Sequence, residues 1–323
     1  MVYNAIMLPL IFVLVYLLQM LVPGGITDTF IHLYHTSNMV YIEQSQDTNG
    51  RGVGESTASE KAVHQSGSTL QVGGSSGQVV GEHGSTYLRR INQLKNAKTW
   101  YWQLDGKLRL NVQADVYDMD GLDTPEKVID ALHNRGVFVI CYFSAGTVET
   151  WRNDAYLFPR NIIGKPLAEW QDEYWLDIRR LDILLPIMKR RIEIMAQKGC
   201  DAIEPDNVDV YDNDSGFEIS ETEVVRYIRE LVSVGHSYGL AVGLKNSASI
   251  VPYVAQYVDF AVVEECQKYN ECKDYSTIVA AGKPVFAVEY EGNYEQVCNR
   301  YKRLGFIGGV ACYDLNGCFR VCY

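Results

Sequence analysis

Positive charge is what this sequence is short of. Its 323 residues carry 29 Lys and Arg against 40 Asp and Glu, a formal net charge of −11. A nucleic-acid binder needs a basic surplus on one face to neutralise phosphates, so nucleic acid is excluded as a partner. Histidine is also scarce, with 6 in the chain, and the 8 cysteines form no C-x-x-C pair. That disfavours a zinc site. There is no G-x-S-x-G for a serine nucleophile and no EF-hand spacing, and Gly308-Gly309 lacks the following Lys of a phosphate loop. His133 and His236 fall on expected helices and read as surface or interhelical side chains. No Lys or Arg comes before Arg51, so charge asymmetry cannot orient an N-terminal apolar segment.

Such a segment is present. Ala5–Val22 is an uncharged run of 18 residues with a single Gln, the length of a long signal-peptide core or a short membrane-spanning helix. Residues 36–90 are rich in Gly, Ser, Thr and Gln and show no sustained period of 2 or 3.6. Such a stretch buries too little apolar surface to offset chain entropy and reads as a flexible tether. The expected organisation is a signal peptide or signal anchor over 1–24, a disordered linker over 25–94 and one folded domain over 95–323. Export follows, with the domain secreted, or held on the lumenal or extracellular side by membrane anchoring through residues 5–22.

From Lys95 onward short apolar runs alternate with amphipathic stretches. Strands are expected at Trp100–Leu104, Val116–Asp120, Val137–Ser144, Tyr174–Ile178, Ala202–Pro205, Ala241–Lys245, Phe260–Glu264 and Val285–Tyr290. Helices are signalled at Thr124–Asn134, at Leu184–Gln197 and at Glu221–Tyr238, the last followed by Gly239. This alternation implies parallel strands with right-handed crossovers, an α/β protein of the (β/α)8 TIM-barrel type. A ninth run, Gly309–Leu315, exceeds the count. Either it is an added edge or one of the eight is not a barrel strand. All cysteines lie between Cys141 and Cys322, and an even number behind an export segment favours disulfides. Cys266 and Cys272 are close enough to clamp one loop, and Cys312, Cys318 and Cys322 crowd the terminus beside Cys298. Cys141 is either bonded or a buried thiol.

In such a barrel the chemistry sits at the C-terminal ends of the strands. There this sequence places Asp118 and Asp120, then Tyr142 and Ser144, Trp175 and Asp177, and Glu204-Pro205-Asp206-Asn207. Lys245-Asn246, Glu264-Glu265 and Glu289-Tyr290 complete the set. Carboxylates ringing one mouth repel and raise one another's pKa, so they call for a metal, a cationic ligand or acid–base chemistry. A hard metal is disfavoured by Lys245 in their midst. Paired carboxylates with aromatic walls, drawn from Trp100, Trp102, Tyr142, Trp151, Trp175 and Tyr290, suit polysaccharide hydrolysis.

The segments Cys141–Arg152 (CYFSAGTVETWR), Tyr174–Arg179 (YWLDIR), Gly199–Asp209 (GCDAIEPDNVD), Gly243–Asn246 (GLKN) and Glu264–Cys266 with Cys272 resemble glycoside hydrolase family 114, the endo-α-1,4-polygalactosaminidases. The resemblance covers residues 95–323. It implies a barrel that cleaves α-1,4 linkages in galactosamine-containing polysaccharide without a metal or other cofactor. The family's catalytic Asp falls on Asp206 and its catalytic Glu on Glu264. In relatives an Asn often precedes that Glu, and here Val263 stands in its place.

Retention is expected, with Asp206 as nucleophile and Glu264 as acid/base. Glu265 points to the opposite strand face. Lys245 and Asn246 would keep Asp206 ionised or orient the sugar. Asp118, Asp120, Asp177 and Glu289 would bind the ammonium groups of a cationic or partly acetylated galactosaminoglycan. Tyr142, Ser144, Trp175, Glu204, Asn207 and Tyr290 are expected to line the same substrate site. The alternatives are a glycan-binding barrel without activity and a metal-dependent polysaccharide deacetylase or lyase.

Overall fold

The computed structural model of the protein describes residues 35–36, 39–40 and 76–323, apart from 169 and 171. Ala5–Val22 and most of the expected linker lie outside the described residues. The chain divides into two units, Met1–Leu70 and Gln71–Tyr323. In the first, β1 (His35–Thr36) pairs antiparallel with β2 (Met39–Val40). Among the described residues no helix is long and apolar enough to cross a membrane.

The second unit is built on eight parallel strands, each hydrogen-bonded to the next. In order round the barrel they are β3 (Trp100–Gln103), β4 (Val116–Asp120), β5 (Phe138–Ser144), β9 (Ala202–Asp206), β10 (Ala241–Lys245), β11 (Phe260–Glu264), β12 (Val285–Glu289) and β13 (Ile307–Val310). A short antiparallel β14 (Arg320–Val321) adds to β13. The row nearly closes on itself. The Leu104 and Asp105 amides both donate to the Leu315 carbonyl at 3.2 Å, and Phe319 sets its ring edge-on to Trp100 and Tyr101.

The strands are covered inside by one another's side chains and outside by helices, which is why they read as near-continuous apolar runs. Packing inside is tight. A Cβ on Gly243 would come within 2.5 Å of the Phe260 ring, which in turn packs on Phe286 at 5.9 Å.

Helices α1 (Ser76–Asn96), α2 (Glu126–His133), α3 (Leu181–Gln197) and α4 (Glu221–Ser237) lie where local signals put them, with one exception. In α4 Ser220 and Glu223 form a capping box, and Val224, Tyr227, Ile228, Leu231 and Val232 make one buried stripe. The exception is α1, which begins inside the stretch expected as linker. Its composition is weakly apolar, so beside the buried Leu94 and the partly buried Ile91 it is docked by long-range polar contacts. Tyr87 donates to Asp259 at 2.7 Å, and Arg90 reaches Asp201 at 3.0 Å and the Gly239 carbonyl at 2.8 Å. Asp201 and Asp259 each also meet a histidine, His133 and His236, at 2.8 Å. The two histidines are thus structural, and the bond to Asp201 raises the His133 pKa. A fragment starting at Lys95 is expected to be less stable than one starting at Ser76 by about 2–3 kcal/mol in urea unfolding. Equal midpoints would make α1 a bystander.

The strand count also changes. Tyr174–Ile178, expected as the fourth barrel strand, belongs to a separate antiparallel sheet in which β8 (Glu173–Leu176) lies between β6 (Thr147–Glu149) and β7 (Ile163–Pro166). In the barrel β5 pairs directly with β9. The true eighth strand is β13, which meets the surplus ninth run only at Gly309 and Val310; Ala311–Leu315 forms no strand. The cysteines pair as Cys141–Cys200, Cys266–Cys272, Cys298–Cys322 and Cys312–Cys318. Cys141 is therefore bonded rather than free, and it ties β5 to the turn before β9.

Candidate active site

Three neighbouring strands each end in a polar residue on the inward face. Because side chains alternate along a strand, Glu204 and Asp206 share one face of β9, as Gly243 and Lys245 do on β10 and Val262 and Glu264 on β11. Lys245 is buried, and its Nζ lies 3.1 Å from Asp206 Oδ1, 3.2 Å from Glu264 Oε2 and 3.2 Å from Glu204 Oε1. Trp102 and Tyr142 present their rings to the same ammonium at 5.3 and 5.7 Å. Asp206 and Glu264 keep some exposure, 15% and 25% of their side chains, while Glu204 has none. The two outer carboxylates can therefore meet a ligand and the inner one cannot.

Burial by itself would strip Lys245 of its proton, but the Asp206, Glu264 and Glu204 charges outweigh it and hold the ammonium well above its ordinary range. Burial likewise pushes Glu264 up. Lys245, the Tyr290 hydroxyl and the Asn246 amide more than cancel that push and leave its carboxyl below the usual range. Tyr290 donates to Glu264 Oε1. Asn246 donates to Oε2 at 3.2 Å and accepts from the Glu264 amide at 3.0 Å. Asn246 thus supplies an amide at Glu264 although Val263 occupies the place of the family's Asn. Beneath the lysine, burial and the Glu204 carboxylate push Asp118 well above its ordinary value, and burial raises Glu204 too. Both shifts run against the pull of the Lys245 ammonium, which lowers each carboxyl.

The turn after β9 is clamped from outside the barrel. Asn207 has a positive φ of 58°, and its amide donates to Ser144 Oγ at 3.0 Å, Thr147 Oγ1 at 3.3 Å and Glu173 Oε1 at 3.0 Å. The Ala145 and Gly146 amides donate to the Asp206 carbonyl at 2.9 and 3.1 Å. A Cβ on Gly146 would lie 1.6 Å from the Asn207 carbonyl oxygen, so only glycine fits there. Glu173 is pushed up to about 7 by burial, which the Thr147 hydroxyl only partly offsets. Neither Thr147 nor Glu173 was marked by its sequence, because β6 and β8 do not belong to the barrel.

The acids expected to bind ammonium groups are otherwise engaged. Asp118 is buried in the barrel floor. Asp120 pairs with Arg152, and Asp177 with Arg179 at 2.7 Å. Glu289 is buried and accepts from the Gln267 and Lys268 amides and from the Tyr301 hydroxyl. Trp175 lies buried on β8, away from the barrel wall. Asp209, which the strand-end pattern does not single out, has no ion pair among the described residues. Burial and the Asp206 charge push it up to about 6.

The model of glycoside-hydrolase family GH114 matches residues 85–323. No curated protein matches the chain. Among solved structures it is similar to Aspergillus fumigatus Ega3 in complex with galactosamine, at 32% identity over 69% of this chain and 94% of that one, with a TM-score of 0.66. The glycoside hydrolase domain of PelA from Pseudomonas aeruginosa has the same fold at 13% identity, over 70% of this chain and 99% of that one, with a TM-score of 0.56.

Proposed function

Because the chain belongs to glycoside-hydrolase family GH114 and is a glycosidase, we propose that it cleaves α-1,4 linkages inside galactosamine-containing polysaccharide, with Asp206 and Glu264 as its catalytic carboxylates. The observation that carries this is the single buried ammonium, Lys245 Nζ, within 3.2 Å of both. Retention, which needs carboxyl groups about 5–5.5 Å apart, is the proposed outcome, and the ammonium shared at 3.1 and 3.2 Å keeps the two carboxylates close.

In this mechanism Asp206 attacks the anomeric carbon while Glu264 gives its proton to the departing oxygen. The shared cation links the two steps. While Asp206 is ionised it competes for Lys245, and once it is esterified its charge is gone and Glu264 drops further, as an acid must when it turns base. Glu264 already lies below the ordinary range in the free enzyme, so activity should favour acidic pH. Tyr290→Phe removes a donor to ionised Glu264 and raises its pKa. The alkaline limb of the kcat/KM profile should therefore move to higher pH. A shift of the acidic limb instead would make Glu264 the nucleophile.

The relative Ega3 is seen with galactosamine, and a protonated amine fits Asp209, a carboxylate beside the catalytic pair without a cation of its own. Four disulfides fit an oxidising compartment. They support export through residues 1–24, as signal peptide or membrane anchor, with a linker that ends before α1. Incubation with partly deacetylated α-1,4-galactosaminogalactan should release oligosaccharides, and chelators should leave the rate unchanged. Binding without release would favour a non-catalytic glycan-binding barrel, and chelator-sensitive loss of acetyl groups a deacetylase.

A further inference from the structure

Beyond Glu264 the mouth carries an ordered aromatic surface that the catalytic chemistry leaves unused. Tyr290, whose hydroxyl donates to Glu264, stacks its ring on Tyr313 with centroids 4.3 Å apart and planes 26° from parallel. Tyr313 is 48% exposed, yet it is held at several points. Its hydroxyl donates to Glu265 Oε1 at 2.8 Å and accepts from Lys268 Nζ at 3.1 Å. Its loop is closed by Cys312–Cys318 and anchored to the end of β3 through the Leu315 carbonyl. Lys268 stands in the facing loop, closed by Cys266–Cys272.

Exposed tyrosines are ordinary in this protein, and what sets Tyr313 apart is how firmly it is held. Here the ring is fixed while much of it stays bare. Its ordering cost is met before any ligand arrives, which is the condition for tight stacking. A galacto-configured pyranose has an axial O4, which leaves H3, H4 and H5 together on the opposite face as an apolar patch the size of a phenol ring. Lys268 Nζ already stands 5.8 Å from the Tyr313 centroid and 5.3 Å from that of Tyr269. Lys268 is itself paired with Glu265 at 2.7 Å and meets the hydroxyl end of Tyr313, so it leaves the ring face away from Tyr290 open.

We propose that Tyr313, backed by Tyr290, is a stacking subsite for a galacto-configured ring on the leaving-group side of the cleaved bond. The side follows from Tyr290, which touches the carboxyl assigned to protonate the leaving oxygen. The inference rests on the glycosidase reading of Asp206 and Glu264. Its role is to place the departing sugar, so the subsite contributes to substrate binding more than to bond cleavage.

The test compares the full-length enzyme with Tyr313→Phe, Tyr313→Leu and Tyr313→Ala on partly acetylated and on fully deacetylated α-1,4-galactosaminan, with thermal unfolding of each. Tyr313→Phe keeps the ring without its hydroxyl bonds and should stay within about twofold of wild type. Tyr313→Leu keeps bulk without a flat face, and like Tyr313→Ala should lose about tenfold in kcat/KM, mostly through KM. The loss should appear on both polymers. It should vanish on a galactosamine oligomer with an aryl leaving group, which puts no sugar on that side. If Phe falls as far as Ala, the hydroxyl anchors the loop and the stacking proposal is overturned. Leu or Ala at wild-type rates overturns it as well. A wild-type enzyme that cleaves neither polymer would instead defeat the underlying function.

Discussion

Lys245→Met should lower kcat/KM by about 10³-fold, because the site loses the fixed ammonium, 3.1 Å from Asp206 and 3.2 Å from Glu264, that holds the two carboxyl groups in position at the mouth. The same substitution should destabilise the fold by about 3–5 kcal/mol near neutral pH, since it leaves Glu204 and its neighbours buried without a counter-charge. The pH dependence has a definite sign. In the wild type the Glu264 pKa is depressed, so its contribution to stability is present above the unfolded carboxylate range and is lost as pH falls through the folded value. In the variant burial acts unopposed, and the carboxyls take up protons at higher pH. The stability gap between the two proteins should therefore be widest near pH 7 and shrink toward pH 4.5. Urea unfolding across that range, with initial rates on the polymer, checks both halves. A gap that does not vary with pH, or activity within tenfold of wild type, would show that Lys245 only fills space.

Asp206→Asn and Glu264→Gln should each reduce kcat by about 10³–10⁴-fold with little change in unfolding midpoint, since both side chains are partly exposed and keep their shape. Roles then separate by azide rescue of the glycine variants on a galactosamine oligomer with an activated leaving group. In Asp206→Gly, azide replaces the nucleophile and attacks the substrate directly, giving the inverted β-azide. In Glu264→Gly the glycosyl-enzyme still forms, and azide opens it with net retention to the α-azide. Exchanged products would exchange the roles. Full activity in either amide variant would remove that residue from the chemistry.

The positions that carry the proposed chemistry were legible because strand ends announce themselves. Asp206, Lys245 and Glu264 each close a mostly apolar run, and a polar group there in a barrel faces the mouth. The disulfide Cys266–Cys272 was legible for a similar local reason, a loop short enough for the two sulfurs to meet. Two runs deceived. Tyr174–Ile178 is apolar because β8 buries itself against a side sheet, and apolarity reports burial without naming the partner. The run expected at Gly309–Leu315 starts too late: the strand is Ile307–Val310, whose Gly308 and Gly309 are poor strand formers, and it joins the barrel because Tyr301 and Phe319 pack where their Cβ atoms would be.

Helix α1 was hidden for a different reason. Its docking depends on Tyr87 and Arg90 finding Asp259 and Asp201 far along the chain, and no local window contains those partners.

From its sequence alone this protein was determined to be an α/β barrel with an acidic, carboxylate-rich mouth, poor in the basic groups that nucleic acid requires. These follow from periodicity and charge count, which are local or additive properties. Which acids are free was decided only in three dimensions. Asp120 and Asp177 meet arginines, Asp118 sinks beneath Lys245, and Glu289 is taken by amides and a tyrosine. A carboxylate's availability depends on distances to groups remote in the chain, and Coulomb and desolvation energies turn on those distances. The shortage of positive charge therefore matters most at one point, where a single buried lysine serves three carboxylates.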